Sequence, residues 1–168
     1  MIPSTTPIRS QRGRYCCFVV GSDCFAVASI GVAEVLRDGK LTRVPHAPEA
    51  VIGLVHLRGR IVPVIDMRRR LGLPAAESSI GGTHLVLSLL DEWYSLLVDE
   101  MLDVIEVADD AIEPPSRAAS ESSHDAVAGV YADADRLVHF LDPQRIVQSL
   151  VRQREPFLQK QGASHGGI

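Results

Sequence analysis

Apolar residues in this chain recur in short runs of five to seven, too short for helices and cut apart by turn residues. Residues 15–20 (YCCFVV) form a β-prone run that ends at Gly21-Ser22-Asp23, and a second run, 24–30, follows at once. Two such runs around Gly-Ser-Asp predict a hairpin. Val32 to Leu36 predicts another strand, stopped by the turn dipeptide Asp38-Gly39. Residues 42–45 read as a short extended piece before Pro45, and 48–52 as a helical turn with Pro48 at its first position. Residues 53–57 and 61–65 predict two strands joined by the tight turn Arg58-Gly59-Arg60. Asp66 then suits the N-cap of a short helix, 67–71, with Gly72 beyond its end.

The second half is punctuated in the same way. Strands are predicted over 84–90, 93–98, 101–107, 127–131 and 136–141, and a proline- and serine-rich loop over 114–125. Asp142-Pro143 opens a helix over about 143–154, with Asp as N-cap and Pro at the first turn. Residues 1–13 read as a flexible N-terminal tail and 152–168 as a helix end and frayed tail.

The two halves match in register. A shift of 69 carries Phe25 onto Tyr94, Val32 onto Met101, Val35 onto Val104 and Pro45 onto Pro114. Seven extra residues later, a shift of 76 carries Gly53 onto Gly129, Arg60 onto Arg136 and Asp66 onto Asp142. Shared Pro, Gly, Arg and capping Asp at constant offsets imply an internal repeat. The expected fold is all-β, with two pseudo-symmetric five-stranded barrel lobes, short helices and a C-terminal helix. The lobes should span roughly 14–80 and 81–151, and closure into barrels would remove exposed strand edges. A pair of barrels leaves a groove between them, which suits docking better than small-molecule chemistry.

Composition narrows the function. The 168 residues carry 17 Lys+Arg against 21 Asp+Glu, a formal charge of −4, which speaks against nucleic acid or an anionic membrane as main partner. There is no apolar run of about 18 residues and no signal-peptide pattern, so no membrane insertion is expected and a cytoplasmic location is. Cys16, Cys17 and Cys24 have no CxxC spacing and read as small buried hydrophobes. His84 and His139, on predicted strands, read as edge or surface residues. Arg68-Arg69-Arg70 is the one basic cluster, either a solvated helix face or part of a site for an acidic partner. No catalytic constellation, metal site or cofactor motif stands out. The competing reading is a small cytosolic metal-binding protein or enzyme using the three cysteines and nearby histidines.

Residues 53–66, GLVHLRGRIVPVID, are the most informative block. They set Arg58 and Gly59 at a hairpin tip, where a guanidinium held on a rigid turn makes a good recognition device. Extended to GLVHLRGRIVPVIDMRRRLGL, the block resembles the signature of the chemotaxis coupling protein family CheW, with His56 where Asn is usual. The resemblance runs from about residue 15 to 151, through FVVGSDCFAVASIGVAEVL, WYSLLVDEMLDVI and AGVYADADRLVHFLDPQRIV. It implies two SH3-like barrels and a non-enzymatic adaptor. Its partners would be the cytoplasmic tip of a methyl-accepting chemoreceptor and the regulatory domain of a CheA-type histidine kinase, at membrane-associated receptor arrays. Self-association or ring assembly is also implied. By the same resemblance Val32, Thr42 and Gly53 face the kinase, and Glu34, Arg58 and Gly59 the receptor.

Overall fold

The computed structural model describes residues 10–76, 82–116 and 125–152. Ten strands and two helices follow one another: β1 (Arg12–Val20), β2 (Asp23–Ala28), β3 (Val32–Leu36), β4 (Val51–Leu57), β5 (Arg60–Asp66), α1 (Met67–Arg70), β6 (Thr83–Leu89), β7 (Glu92–Val98), β8 (Glu100–Ala108), β9 (Val127–Asp133), β10 (Arg136–Leu141) and α2 (Pro143–Arg152). The strands form two five-stranded sheets, ordered β8-β1-β2-β10-β9 and β3-β6-β7-β5-β4. Advancing every strand of the second sheet by five places, with β6 and β7 returning to β1 and β2, reproduces the first. The repeat is therefore real in three dimensions, down to the matching parallel pairs β2–β10 and β5–β7.

The sheets do not divide the chain at residue 80. Each five-strand repeat gives two strands to one sheet and three to the other, so 14–80 and 81–151 are exchanged between the sheets instead of forming a lobe each. The reason is burial. β2 lies in the middle of its sheet and is apolar on both faces, Cys24 and Ala26 pointing one way, Phe25 and Val27 the other. The second face needs a partner layer, and the other sheet supplies it.

Three cores result. Cys17, Ala26, Val107, Val138, Phe140 and Tyr131 fill the inside of the first sheet, drawing on all five of its strands. Val55, Val62, Val64, Val86, Leu36 and Leu97 do the same in the second. A cluster to which every strand of one sheet contributes is the interior of a barrel. The third and largest core lies between the sheets, where Phe18 and Phe25 meet Ile65, Leu85 and Leu96, closed by Met67 and Leu71 on one side and Ile146 and Leu150 of α2 on the other.

The helix starts follow the capping logic. The Asp66 carboxylate accepts from the backbone N–H of Arg68 and Arg69, and Asp142 accepts from Gln144 N–H at 2.9 Å. Several other expectations change. Arg12 and Gly13 belong to β1, paired with Ala108 and Val107, while residues 1–9 lie outside the described residues. The expected helical turn at 48–52 shrinks to a single bond from Val51 N–H to the Pro48 carbonyl, because Val51 pairs with Ile65 as the first residue of β4. The arginine run is not a solvated face. Arg68 grips Asp99 with Nε and Nη2 at 2.9 and 2.7 Å, and buried Arg70 reaches the Arg145 and Ile146 carbonyls and Asp125. Arg69 pairs with Asp66. Burial pushes the Asp99 carboxyl up, but the Arg68 guanidinium and the Gly21 N–H outweigh it and hold it below the usual carboxylate range.

His84 is neither edge nor surface. β6 is paired on both sides, and the imidazole is 6% exposed, its Nδ1 2.9 Å from the hydroxyl of fully buried Ser95. His139 is half-buried, its ring tilted against Phe25 at 5.4 Å, with Nδ1–H donating to the Cys24 carbonyl. Burial lowers the His84 pKa, Asp38 opposing it weakly. The unfolded chain therefore binds a proton at His84 that the fold refuses, and stability contributed by this site is full above about pH 6.5 and lost as pH falls below it. Urea unfolding at pH 7.5 and 5.5 should show His84→Gln losing less stability on acidification than the parent. Equal losses would contradict this role for His84.

Candidate functional site

The turn between β4 and β5 is two residues long, and both have positive φ, 50° at Arg58 and 75° at Gly59. That is the geometry of a type I′ turn, which matches the twist of its flanking strands. Gly59 adopts it without strain. Arg58 does not, so a long cationic side chain is held where Asn, Asp or Gly would be easier. Arg58 Nε lies 2.7 Å from Glu34 Oε2 and Nη2 3.4 Å from Oε1. The Glu34 carboxylate keeps the guanidinium more firmly protonated. Two residues expected to face one partner are thus a bonded pair.

This contact also closes the barrel. Glu34 is on β3 and Arg58 directly follows β4, the two outer strands of the second sheet, so the pair spans the seam. The first sheet has a counterpart. Asp103 of β8, 69 residues after Glu34, bonds Arg136 at 2.9 Å, and Asp133 joins them at 3.1 Å. The Arg136 hydrogen bond holds the Asp103 carboxyl below its ordinary value. Both seams carry an arginine–carboxylate clasp, but only at the Arg58 seam is the arginine at the hairpin tip, with 69% of its side chain exposed.

Thr42 and Gly53 form a second pair. Thr42 and Leu54 exchange backbone hydrogen bonds of 2.8 Å, laying segment 41–44 along β4. A Cβ on Gly53 would stand 2.5 Å from the Thr42 carbonyl oxygen. Gly53 is buried and permits this close approach, while Thr42 is exposed. Gly129, its repeat equivalent, does the same for the Glu113–Val130 bridge, where a Cβ would meet the Ile112 side chain at 2.5 Å. Val32 packs, half-buried, against the core between the sheets and joins neither pair.

Two features escaped the sequence. Val35 and Ile61 are exposed on the second sheet, and Val104 and Leu137 on the first, and the shifts of 69 and 76 relate them exchange for exchange. An apolar groove of about 340 Å³ runs between the second sheet and α2, walled by Val44, Val51, Leu54, Pro63, Val147 and Leu150, with Glu92 and Tyr94 at its edge. Its walls come from distant parts of the chain, so no local pattern announces it.

The competing reading turns on the three cysteines. All three cysteines are buried and unpaired by disulfide. Burial pushes the Cys17 thiol up to about 12 and raises Cys24 as well. Neutral buried thiols are poor nucleophiles and poor ligands. No group of three His, Cys, Asp or Glu side chains among the described residues could hold a metal.

Gly53→Ala should destabilise by roughly 1–3 kcal/mol, the range for forced overpacking, and free the 41–44 segment from β4. Urea unfolding and amide exchange at Leu54 check this; an unchanged midpoint with Leu54 still protected would show that the space is not needed.

Comparison with known proteins agrees with this architecture. Residues 14–151 match the CheW-like domain model. The chain is 32% identical over 136 residues to the chemotaxis protein CheW of Rhizobium meliloti, covering 81% of this chain and 88% of that protein. It is 32% identical over 143 residues to protein FrzA of Myxococcus xanthus, covering 82% and 86%. The crystal structure of the scaffolding protein TtCheW from Thermoanaerobacter tengcongensis superposes with a TM-score of 0.72 at 26% identity, over 79% of this chain and 90% of that one. With the repeat, the exchanged sheets and the hairpin tip all in agreement, the chain belongs to the CheW-like domain family.

Proposed function

We propose that this chain is a non-catalytic adaptor coupling the cytoplasmic coiled-coil tip of a chemoreceptor to a CheA-type histidine kinase. The observation that carries the proposal is the Glu34–Arg58 pair on a strained hairpin tip. A non-glycine residue kept at positive φ, with its guanidinium largely in solvent, points to recognition more than to stability. On this reading Glu34, Arg58 and Gly59 face the receptor, and the apolar groove beside β4 accepts apolar side chains of the receptor's helices in a helix-in-groove mode.

The kinase contact is barrel against barrel. Exposed Val35 and Ile61 supply apolar surface on the second sheet, to which β3 brings Val32, β4 brings Gly53 and the Thr42–Leu54 bridge brings Thr42. Gly53 serves this contact indirectly, by holding Thr42 in place. The matching pair on the first sheet, Val104 and Leu137, gives a second surface of the same kind, which suits bridging and assembly into rings. The adaptor works at membrane-associated receptor arrays through its partners; among the described residues no helix is long and apolar enough to cross a membrane.

Arg58→Asp tests the proposal. Asp tolerates positive φ, so the turn should persist, while the new carboxylate faces Glu34 and presents the wrong charge to the receptor. The thermal midpoint should stay within a few degrees of the parent, and capture by a receptor signalling fragment should fall at least tenfold. Undiminished capture would remove Arg58 from the receptor site.

A further inference from the structure

We propose that one rim of the second barrel, where the 58–59 and 90–91 turns meet, is a single docking face on which Leu90 and Ile30 are apolar contacts beside Arg58. Resting on the coupling reading above, its occupant is a helix of the receptor tip that presents a carboxylate flanked by apolar side chains. The topology gathers these residues. β5 and β7 are parallel neighbours, so the turns that precede them lie side by side. Arg60 ties the turns together: Nη1 donates to the Asp91 carbonyl at 3.3 Å, and the guanidinium lies over the Trp93 ring at 4.7 Å. β3 runs antiparallel to β6 with Val32 opposite Leu87, so Ile30, just before β3, comes to the same end as Leu90, just after β6.

Two observations mark this rim for recognition. Leu90 and Asp91 both have positive φ, 49° and 65°. A leucine is strained there, and its side chain, 83% exposed, adds nothing to the core. The shift of 69 puts Gly21 at the equivalent turn of the first barrel, at φ 67°, where glycine turns the chain without strain. Secondly, Leu90 and Ile30, which is 97% exposed, are the two most exposed large apolar residues among the described residues. Both stand on the rim that carries Arg58. Their equivalents on the first barrel are Gly21 and Asp99, and Ala134 replaces Arg58, so that rim lacks both the apolar side chains and the cationic tip. The arginine decides the partner's charge. Glu34 takes Nε and one Nη2 bond, which leaves guanidinium N–H donors in solvent for a second carboxylate. The groove decides its shape. Glu92 follows the 90–91 turn and stands at the edge of the apolar groove, so a helix lying in the groove runs onto the rim. Five strands at about 4.8 Å spacing close a rim on the order of 10 Å across, close to the width of one α-helix.

The test titrates the full chain, with labelled methyl groups, with a soluble receptor signalling fragment. The Ile30 and Leu90 methyl resonances of the parent should shift as the fragment binds. Leu90→Gly supplies the glycine that the equivalent turn already uses, so its thermal midpoint should stay within a few degrees of the parent while affinity for the fragment falls at least fivefold. Leu90→Met should keep most of the affinity, and Ile30→Ser should lower it several-fold. Equal affinities for parent and Leu90→Gly, with Arg58→Asp still weakened, would overturn the rim and leave the coupling reading standing. A Leu90→Gly chain that loses its hold on the kinase regulatory domain, or on a second copy in sedimentation, but keeps that on the fragment would overturn the receptor as occupant. A fragment that does not bind the parent would overturn the coupling reading and this occupant together.

Discussion

The structure depends on the core shared by the two sheets. Phe18 and Phe25 lie 6.2 Å apart on adjacent strands of one sheet and pack across onto Ile65, Leu85 and Leu96 of the other. Each of these side chains is almost wholly removed from water, and full burial of such a side chain stabilises by about 1.5–3 kcal/mol. Because each repeat divides its strands between the sheets, neither barrel can be completed by one half of the chain. Arg70 reinforces the join. Its guanidinium, carried on α1 after β5, bonds to carbonyls of α2 after β10 and to Asp125. A buried arginine so bonded fixes geometry more than it adds stability. The result is a body whose two halves cannot shift independently.

That shared core holds the surfaces of the two sheets in one body. Burial holds the thiols of Cys16, Cys17 and Cys24 and the His84 imidazole neutral, while buried Arg70 is bound by carbonyls and Asp125. What faces solvent is a set of positioned surfaces: a strained arginine at a seam, apolar residues repeated on both barrels, and a groove between the second sheet and α2. An adaptor needs such surfaces at constant separation. The near symmetry of the barrels, broken where Ala134 replaces Arg58 at the equivalent turn, gives two similar faces with different recognition.

Much of this was legible in the sequence. The shifts of 69 and 76 found true structural equivalents, since Pro, Gly and capping Asp mark local conformations that a repeat must preserve. Asp66 and Asp142 announced their helices for the same reason, and Arg58-Gly59 its turn. The exchange of strands was not legible, because a shift states which strands are alike and not which ones pair. The arginine run was misread because its partners lie far away, Asp99 31 residues from Arg68 and Asp125 55 from Arg70. His84 was misread because a lone polar residue on a strand gives no sign of the Ser95 hydroxyl that meets it from the neighbouring strand. The groove needed three separate segments to meet. Residues 117–124, where the repeat carries its insertion, lie outside the described residues.

Reconstitution tests the central claim most directly: autophosphorylation of a CheA-type kinase measured with receptor signalling fragments, with and without this chain. The account predicts that receptor alone leaves the kinase rate near its basal value and that adding the chain makes the rate respond to receptor. A kinase rate that is the same with and without the chain, at concentrations where receptor and kinase are both in excess, would contradict it.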